Sequence, residues 1–297
     1  PKVHSPRSVL KVKYSNMMQD ALSKSQYSIV KEIAEILTII DKHENGESYS
    51  LANSELQQQL KRDLKPKFIP EPPKQISLSA SAIETYISCP LKYRLSKIDR
   101  IPQTASKPEL VFGNIIHKVL QRFHNECKKL DKNSILELLE QEWQSGAFEY
   151  KVREEKFKDQ GVEMLSNYVE NIKTNTPNVL ATELSFTFQL NETTIVGTID
   201  RLDNESGIVI TDYKTSKTST KAKNSLQLAI YSLYLEQSED LELKGIPKKS
   251  QLYFLRDHED PIKEHSFSGD ELRDTEEKIL HVSNGIRKKD FKPIKGN

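Results

Sequence analysis

The sequence predicts an α/β fold: a mixed central sheet flanked by helices and preceded by a helical extension. Three observations carry that prediction. Helical apolar spacing runs through the chain as far as Ile172, a meander of three strands begins near Ala181, and one helix then separates two further strands from a last helix. With 297 residues the chain is long enough for one large domain, or a domain and an appendage, around a core of ordinary size.

Residues 1–75 are expected to form a helical extension closed by a proline-rich linker. Ile29, Ile33, Ile36, Leu37 and Ile40 recur at helical spacing over Tyr27 to Ile40, and Pro66, Pro70, Pro72 and Pro73 follow as a stiff extended stretch. Residues 76–297 form the main domain. Ser81 with Glu84 three residues on reads as a capping box, with Ile83, Tyr86, Ile87 and Leu91 on one face and Pro90 breaking the helix. The next helix begins near Pro108 and turns Phe112, Ile116, Val119 and Phe123 inward; two more occupy Ser134 to Gln144 and Val152 to Ile172. From Glu183 to Leu190 apolar and polar residues alternate, as in a half-buried strand. Strands at Thr193 to Asp200 and Ile208 to Tyr213 flank the turn formers Asp203 to Gly207. A helix over Ser225 to Glu236, strands at Gln251 to Arg256 and Ile262 to Phe267, and a helix over Gly269 to Lys288 complete the order.

The hairpin is where chemistry appears. If its turn is centred on Ser206, Asp200 and Asp212 lie six residues either side and face each other. Facing Cβ atoms are about 5 Å apart, and like charges there repel, so a positive group is expected between them. The two-residue period puts Lys214 on the same side as Asp212. Two carboxylates and an ammonium at one sheet end suit a hard divalent cation with room left for water and a phosphate. Gly113 and His117 fall four apart on one helix face, as do Gln227 and Tyr231. Singly, each of these residues has an ordinary reading: a solvated strand edge, a packed histidine, a polar helix surface.

As an ordered set they do not. Gly113-x-x-x-His117, Gly197-Thr198-Ile199-Asp200-Arg201, Asp212-Tyr213-Lys214-Thr215 and Gln227-x-x-x-Tyr231 closely resemble the RecB-like branch of the PD-(D/E)XK nuclease superfamily, over about Leu78 to Lys289. The resemblance implies a restriction-endonuclease-like core and metal-dependent hydrolysis of DNA phosphodiesters. It casts His117, Asp200, Asp212 and the main-chain carbonyl of Tyr213 as ligands of Mg²⁺ or Mn²⁺, and Lys214 as the catalytic lysine. Gln227 and Tyr231 would support the site or the scissile phosphate. Glu183 sits where such nucleases often carry a strand acid, or is a plain exposed strand residue; Arg201 touches a phosphate or pairs with an acid. Thr215 and the basic loop of Lys217, Lys221 and Lys223 are expected to neutralise backbone phosphates. Tyr86, Tyr93 and Trp143 either stack on unpaired bases or fill core.

The partner implied is DNA, as single strands or duplex ends, in repair and recombination. The family often stands at the end of superfamily 1 helicases of the UvrD/Rep type, and a start at Pro1 rather than methionine reads as a piece of such a longer chain. The rival readings are a catalytically silent nuclease fold that binds DNA or a partner, and a sequence-specific restriction enzyme. Ser88-Cys89-Pro90-Leu91-Lys92-Tyr93 resembles the segment that supplies the first cysteine of an iron–sulfur cluster in some members. Cys127 is the one other cysteine, so this chain alone cannot complete such a cluster. So few cysteines, no apolar run of membrane-spanning length and no signal peptide point to a reducing, cytoplasmic setting. The 44 basic and 43 acidic residues give no overall nucleic-acid signature, so DNA contact has to be local.

Overall fold

The structure is a computed structural model that describes residues 7–64, 75–101, 108–145, 148, 150–217, 220–238 and 245–294. The chain divides into two compact units, Pro1–Glu71 and Pro72–Asn297. The four prolines read as a linker lie outside the described residues.

The first unit holds three helices, α1 (Arg7–Ser23), α2 (Tyr27–Asn45) and α3 (Glu55–Asp63). Ile33, Ile36 and Ile40 of α2 are fully buried and pack with Leu10, Tyr14 and Leu60. Gly46 ends α2 in the left-handed region at φ 74°, where its N–H closes on the last carbonyls.

In the second unit β1 (Ile76–Leu78) leads to α4 (Ala80–Ser88), α5 (Pro90–Tyr93) with a π-helical turn, α6 (Pro108–Glu126), α7 (Lys132–Glu142) and α8 (Lys151–Thr174). The meander is β2 (Val179–Leu190), β3 (Thr193–Asn204) and β4 (Ile208–Lys214); α9 (Leu226–Gln237), β5 (Lys249–Phe254), β6 (Ile262–His265) and α10 (Gly269–Arg287) follow. Among the described residues no helix is long and apolar enough to cross a membrane. The N-cap of α4 is Ser79, which accepts the Ala82 N–H, and not the expected Ser81. Ile87, placed on the inner face by its spacing, is 49% exposed.

Six strands form one mixed sheet in the order β1-β3-β4-β5-β6, with β2 also on β3. Pairs β1–β3 and β4–β5 are parallel; β2–β3, β3–β4 and β5–β6 are antiparallel. Because β2 occupies one edge of β3, the strands β1 and β4 must share the other, β1 at residues 193–195 and β4 at 201–204. Each face of the sheet carries its own core. Ile199, Leu202, Ile210 and Leu252 pack with α4, α9 and α10, while Tyr213, Tyr253 and Leu255 pack with α6, α7 and α8.

One irregularity of the sheet bears on function. Ile199 and Leu202 join the same core although they are three apart on a strand, and so do Ala181 and Leu184 opposite them. Strict alternation cannot do this. The inward phase therefore switches on both strands at the facing positions Glu183 and Asp200, and Glu183 carries the left-handed backbone, at φ 48°, that accompanies the switch.

Candidate active site

The β3–β4 ladder pairs Arg201 with Thr211, Leu202 with Ile210, Asp203 with Val209 and Asn204 with Ile208, a register centred on Ser206 as the sequence predicts. It stops one step short of Asp200 and Asp212, where β3 has no neighbour on that edge until β1. In place of a ladder bond, Asp200 Oδ2 accepts the main-chain N–H of Tyr213 at 2.7 Å. The acids thus separate where the sheet opens, beside a cavity of about 580 Å³ that both line with His117, Glu183, Lys214 and Gln227.

The groups beside the acids are two, an imidazole and an ammonium, rather than one positive group between them. His117, on α6, lies 3.3 Å from Asp200 Oδ2 through Nδ1, and Lys214 Nζ lies 2.6 Å from Asp212 Oδ2. Burial opposes a charge on His117, but the hydrogen bond to Asp200 and the charges of Asp200, Asp212 and Glu183 outweigh it and raise the imidazole pKa. Asp212 is 1% exposed; burial and Asp200 push its carboxyl up to about 6, against the pull of Lys214. Although Lys214 is close, Asp212 Oδ2 is left without a well-directed hydrogen bond. Glu183 is also raised, by burial and then by Asp200.

His117, Glu183 and Asp200 each offer a ligand atom within 4.8 Å of the other two, and Asp212 stands outside that distance of the full set. An imidazole and carboxylates are a donor set for a divalent ion, and Asp212 adds a buried oxygen that lacks a directed hydrogen bond. The residues present fit such an ion. Glu183, read from its alternation as equally well an exposed strand residue, is half-buried and central to the group. The sequence gives no sign of the phase switch that turns it inward.

Behind Lys214 stands a relay of polar groups. Lys214 Nζ donates to Gln227 Oε1 at 2.8 Å, and Gln227 Nε2 donates to the Tyr231 hydroxyl at 2.5 Å. Both relay residues lie on α9, whose first turn is capped by Ser225 accepting the Leu228 N–H. Burial, then Asp212 and Asp200, raises the Tyr231 pKa, so its hydroxyl stays neutral.

Other expected contacts distribute unevenly. Thr215 lines the cavity, whereas Lys217, Lys221 and Lys223 are exposed and do not; Lys223 lies 3.7 Å from Glu271. Arg201 is not available to a phosphate. It is 4% exposed and pairs with Asp203 at 2.9 Å, so of its two readings the acid partner is the correct one. Tyr86 and Tyr93 are buried in core, and Trp143 stacks on Phe148. The Cys89 thiol pKa is lowered by backbone hydrogen bonds, first from Ile294 and then from Lys92. Gly113 is not forced by crowding, since a Cβ there would meet only Thr215 Oγ1, at 3.5 Å. Sequence reasoning missed Asn114, Lys118 and Gln121, which line the cavity from α6; their spacing of four and three on one helix stripe beside His117 was the available signal.

A family model described as the PD-(D/E)XK nuclease superfamily matches residues 77–297. One subunit of the ATP-dependent helicase/deoxyribonuclease of Clostridium perfringens (strain SM101 / Type A) is 27% identical over 258 residues, covering 71% of this chain and 22% of that protein. The corresponding subunit from strain ATCC 13124 is 26% identical with the same coverage. The chain thus spans 22% of the length of these relatives. Among solved structures, a candidate exonuclease from Eubacterium rectale aligns at TM-score 0.46 and 13% identity, covering 83% of this chain and 90% of its own. Every residue of the cavity described above falls within the matched segment, and the chain belongs to the PD-(D/E)XK nuclease superfamily.

Proposed function

We propose that the second unit is a metal-dependent deoxyribonuclease of the RecB-like kind that hydrolyses phosphodiesters in single strands or at duplex ends. The observation that carries this reading is the meeting, in one cavity, of the His117–Glu183–Asp200 group with Asp212, Lys214 and Gln227, the last backed by Tyr231. In this reading His117, Asp200 and Asp212, with the Tyr213 carbonyl, hold Mg²⁺ or Mn²⁺, and Glu183 joins them. A bound ion supplies Lewis-acid polarisation of the phosphoryl group and acidifies a neighbouring water.

The protein's own part is positional and electrostatic. Lys214 is fixed between Asp212 and Gln227, so its ammonium is aimed into the cavity, where it orients a water and offsets charge developing on phosphate. Gln227 has its carbonyl committed to Lys214 and its amide to Tyr231, which fixes the amide's orientation. Thr215, with Lys217, Lys221 and Lys223, receives the flanking phosphates. The relatives are named as helicase/deoxyribonuclease subunits and are much longer, which supports a place for this nuclease within a helicase-nuclease chain acting in DNA repair and recombination.

The test is cleavage of end-labelled single-stranded and duplex DNA with Mg²⁺, with Mn²⁺ and with chelator, beside a closed circular single strand. Loss of label from linear DNA alone, only with the ion, is the expected result of end processing. Binding without cleavage under every ion would mark a silent fold.

A further inference from the structure

Beside the site, between the sheet and the helices α6 and α8, lies a buried polar network that no step above uses. Arg201 Nη1 donates to the hydroxyls of Tyr168 and Tyr213, each at 2.5 Å, and Arg201 Nε donates to Asp203 at 3.0 Å. The two hydroxyls are 2.8 Å apart, and Tyr168 Oη lies 2.6 Å from His124 Nε2. Burial and the nearby Arg201 pull the His124 pKa down to about 3, so the imidazole is neutral and its Nε2 can accept. With Nε2 as acceptor, the consistent donor order is Tyr213 to Tyr168 and Tyr168 to His124.

We infer that this network is a positioning device for Asp200, and through it for the ion that Asp200 would hold. Two residues transmit the constraint, one through the chain and one through a hydrogen bond. Arg201 follows Asp200 on β3, so anchoring the Arg201 side chain pins the backbone from which Asp200 projects at the phase switch. Tyr213 holds Asp200 Oδ2 through its main-chain N–H, while its ring and hydroxyl are locked in the network. The same ring meets the His117 imidazole edge-on, with centroids 6.3 Å apart. Arg201 and Thr211 form the last ladder pair before the acids part, and Arg201 Nη2 donates to Thr211 Oγ1 at 3.4 Å, so the side chains bind the two strands where the ladder ends. Tyr168, Arg201 and His124 are thus positioning residues, none of which lines the cavity.

The inference rests on the proposed metal-dependent reading of the site, and its test separates the two. The variants are Tyr168→Phe and Tyr213→Phe, which keep the rings and delete one hydroxyl each. Mn²⁺ binding is measured by electron paramagnetic resonance, with kcat, KM and Tm in parallel. Outer partners of metal sites alter affinity by roughly 10–100-fold. The expected result is an Mn²⁺ dissociation constant raised about tenfold, or kcat lowered about tenfold at unchanged KM for DNA. A lower Tm with unchanged Mn²⁺ affinity and unchanged kcat would make the network purely structural and overturn the inference while leaving the site's reading intact. Absence of Mn²⁺ binding by the unaltered protein would defeat the reading itself, and the inference with it.

Discussion

Burial and Asp200 push a proton onto Asp212, and Lys214 pushes it off, leaving a carboxyl that titrates at about 6 instead of 3.8. A folded pKa above the unfolded one means the folded state holds the proton longer. This group's stabilising contribution is therefore full below about pH 4 and is lost as pH rises through about 6. Asp212→Asn should stabilise the ion-free protein at neutral pH by up to about 3 kcal/mol, less whatever Lys214 loses; a melting curve no higher than that of the parent would contradict the shift. Because protons on Asp212 and on His117, whose pKa is also raised, compete with an ion, Mn²⁺ affinity should fall as pH drops below 6, which titration calorimetry can follow. Asp212→Ala and Lys214→Ala should each lower cleavage by two orders of magnitude or more with the fold retained; undiminished ion-dependent activity in either would remove that residue from the chemistry. Asp200, Asp212 and Lys214 were legible in the sequence because turn symmetry and strand alternation place them without any knowledge of the helices, whereas His117 stood out only through its spacing from Gly113 and the family resemblance. The inward turn of Glu183 and the burial of Arg201 were not, since both depend on a phase switch that composition does not encode.

Elements were legible where packing and periodicity agree. Helix α6 buries the very face its apolar spacing marks, and the hairpin register follows from turn residues symmetric about Ser206. Helices α1 and α3 went unseen because α1 spreads Leu10, Tyr14 and Ala21 thinly among polar residues, and α3 has nine residues with one fully buried leucine. Strand β1, three residues long, is too short for any period to show. Gly197 illustrates a constraint set by a neighbouring strand. It faces Phe186 across the ladder, and a Cβ would lie 2.5 Å from that ring, which is itself stacked on Tyr234. Gly197→Ala should cost about 1–3 kcal/mol by overpacking, seen as a Tm lowered by several degrees, with cleavage affected through the nearby Asp200. An unchanged Tm would show that the ring moves aside freely.

For the molecule as a whole, near-zero net charge means that the proposed binding of DNA has to rest on local cations. Replacing Lys217, Lys221 and Lys223 together should flatten the dependence of log K on log salt by about 2, at roughly 0.7 per contact with a single strand; the 3.7 Å approach of Lys223 to Glu271 makes its share the smallest. An identical slope in the triple variant would take this loop off the DNA path. A last consequence comes from the two cores. His117 arrives from the helical layer on one side of the sheet, while Gln227 and Tyr231 arrive from the layer on the other. An ion seated among His117, Glu183 and Asp200 would act as a rivet through a laminate: peeling α6 away would first have to break coordination. Heating in the presence of Mn²⁺ should then delay loss of that layer, and the gain in Tm should grow with the logarithm of ion concentration.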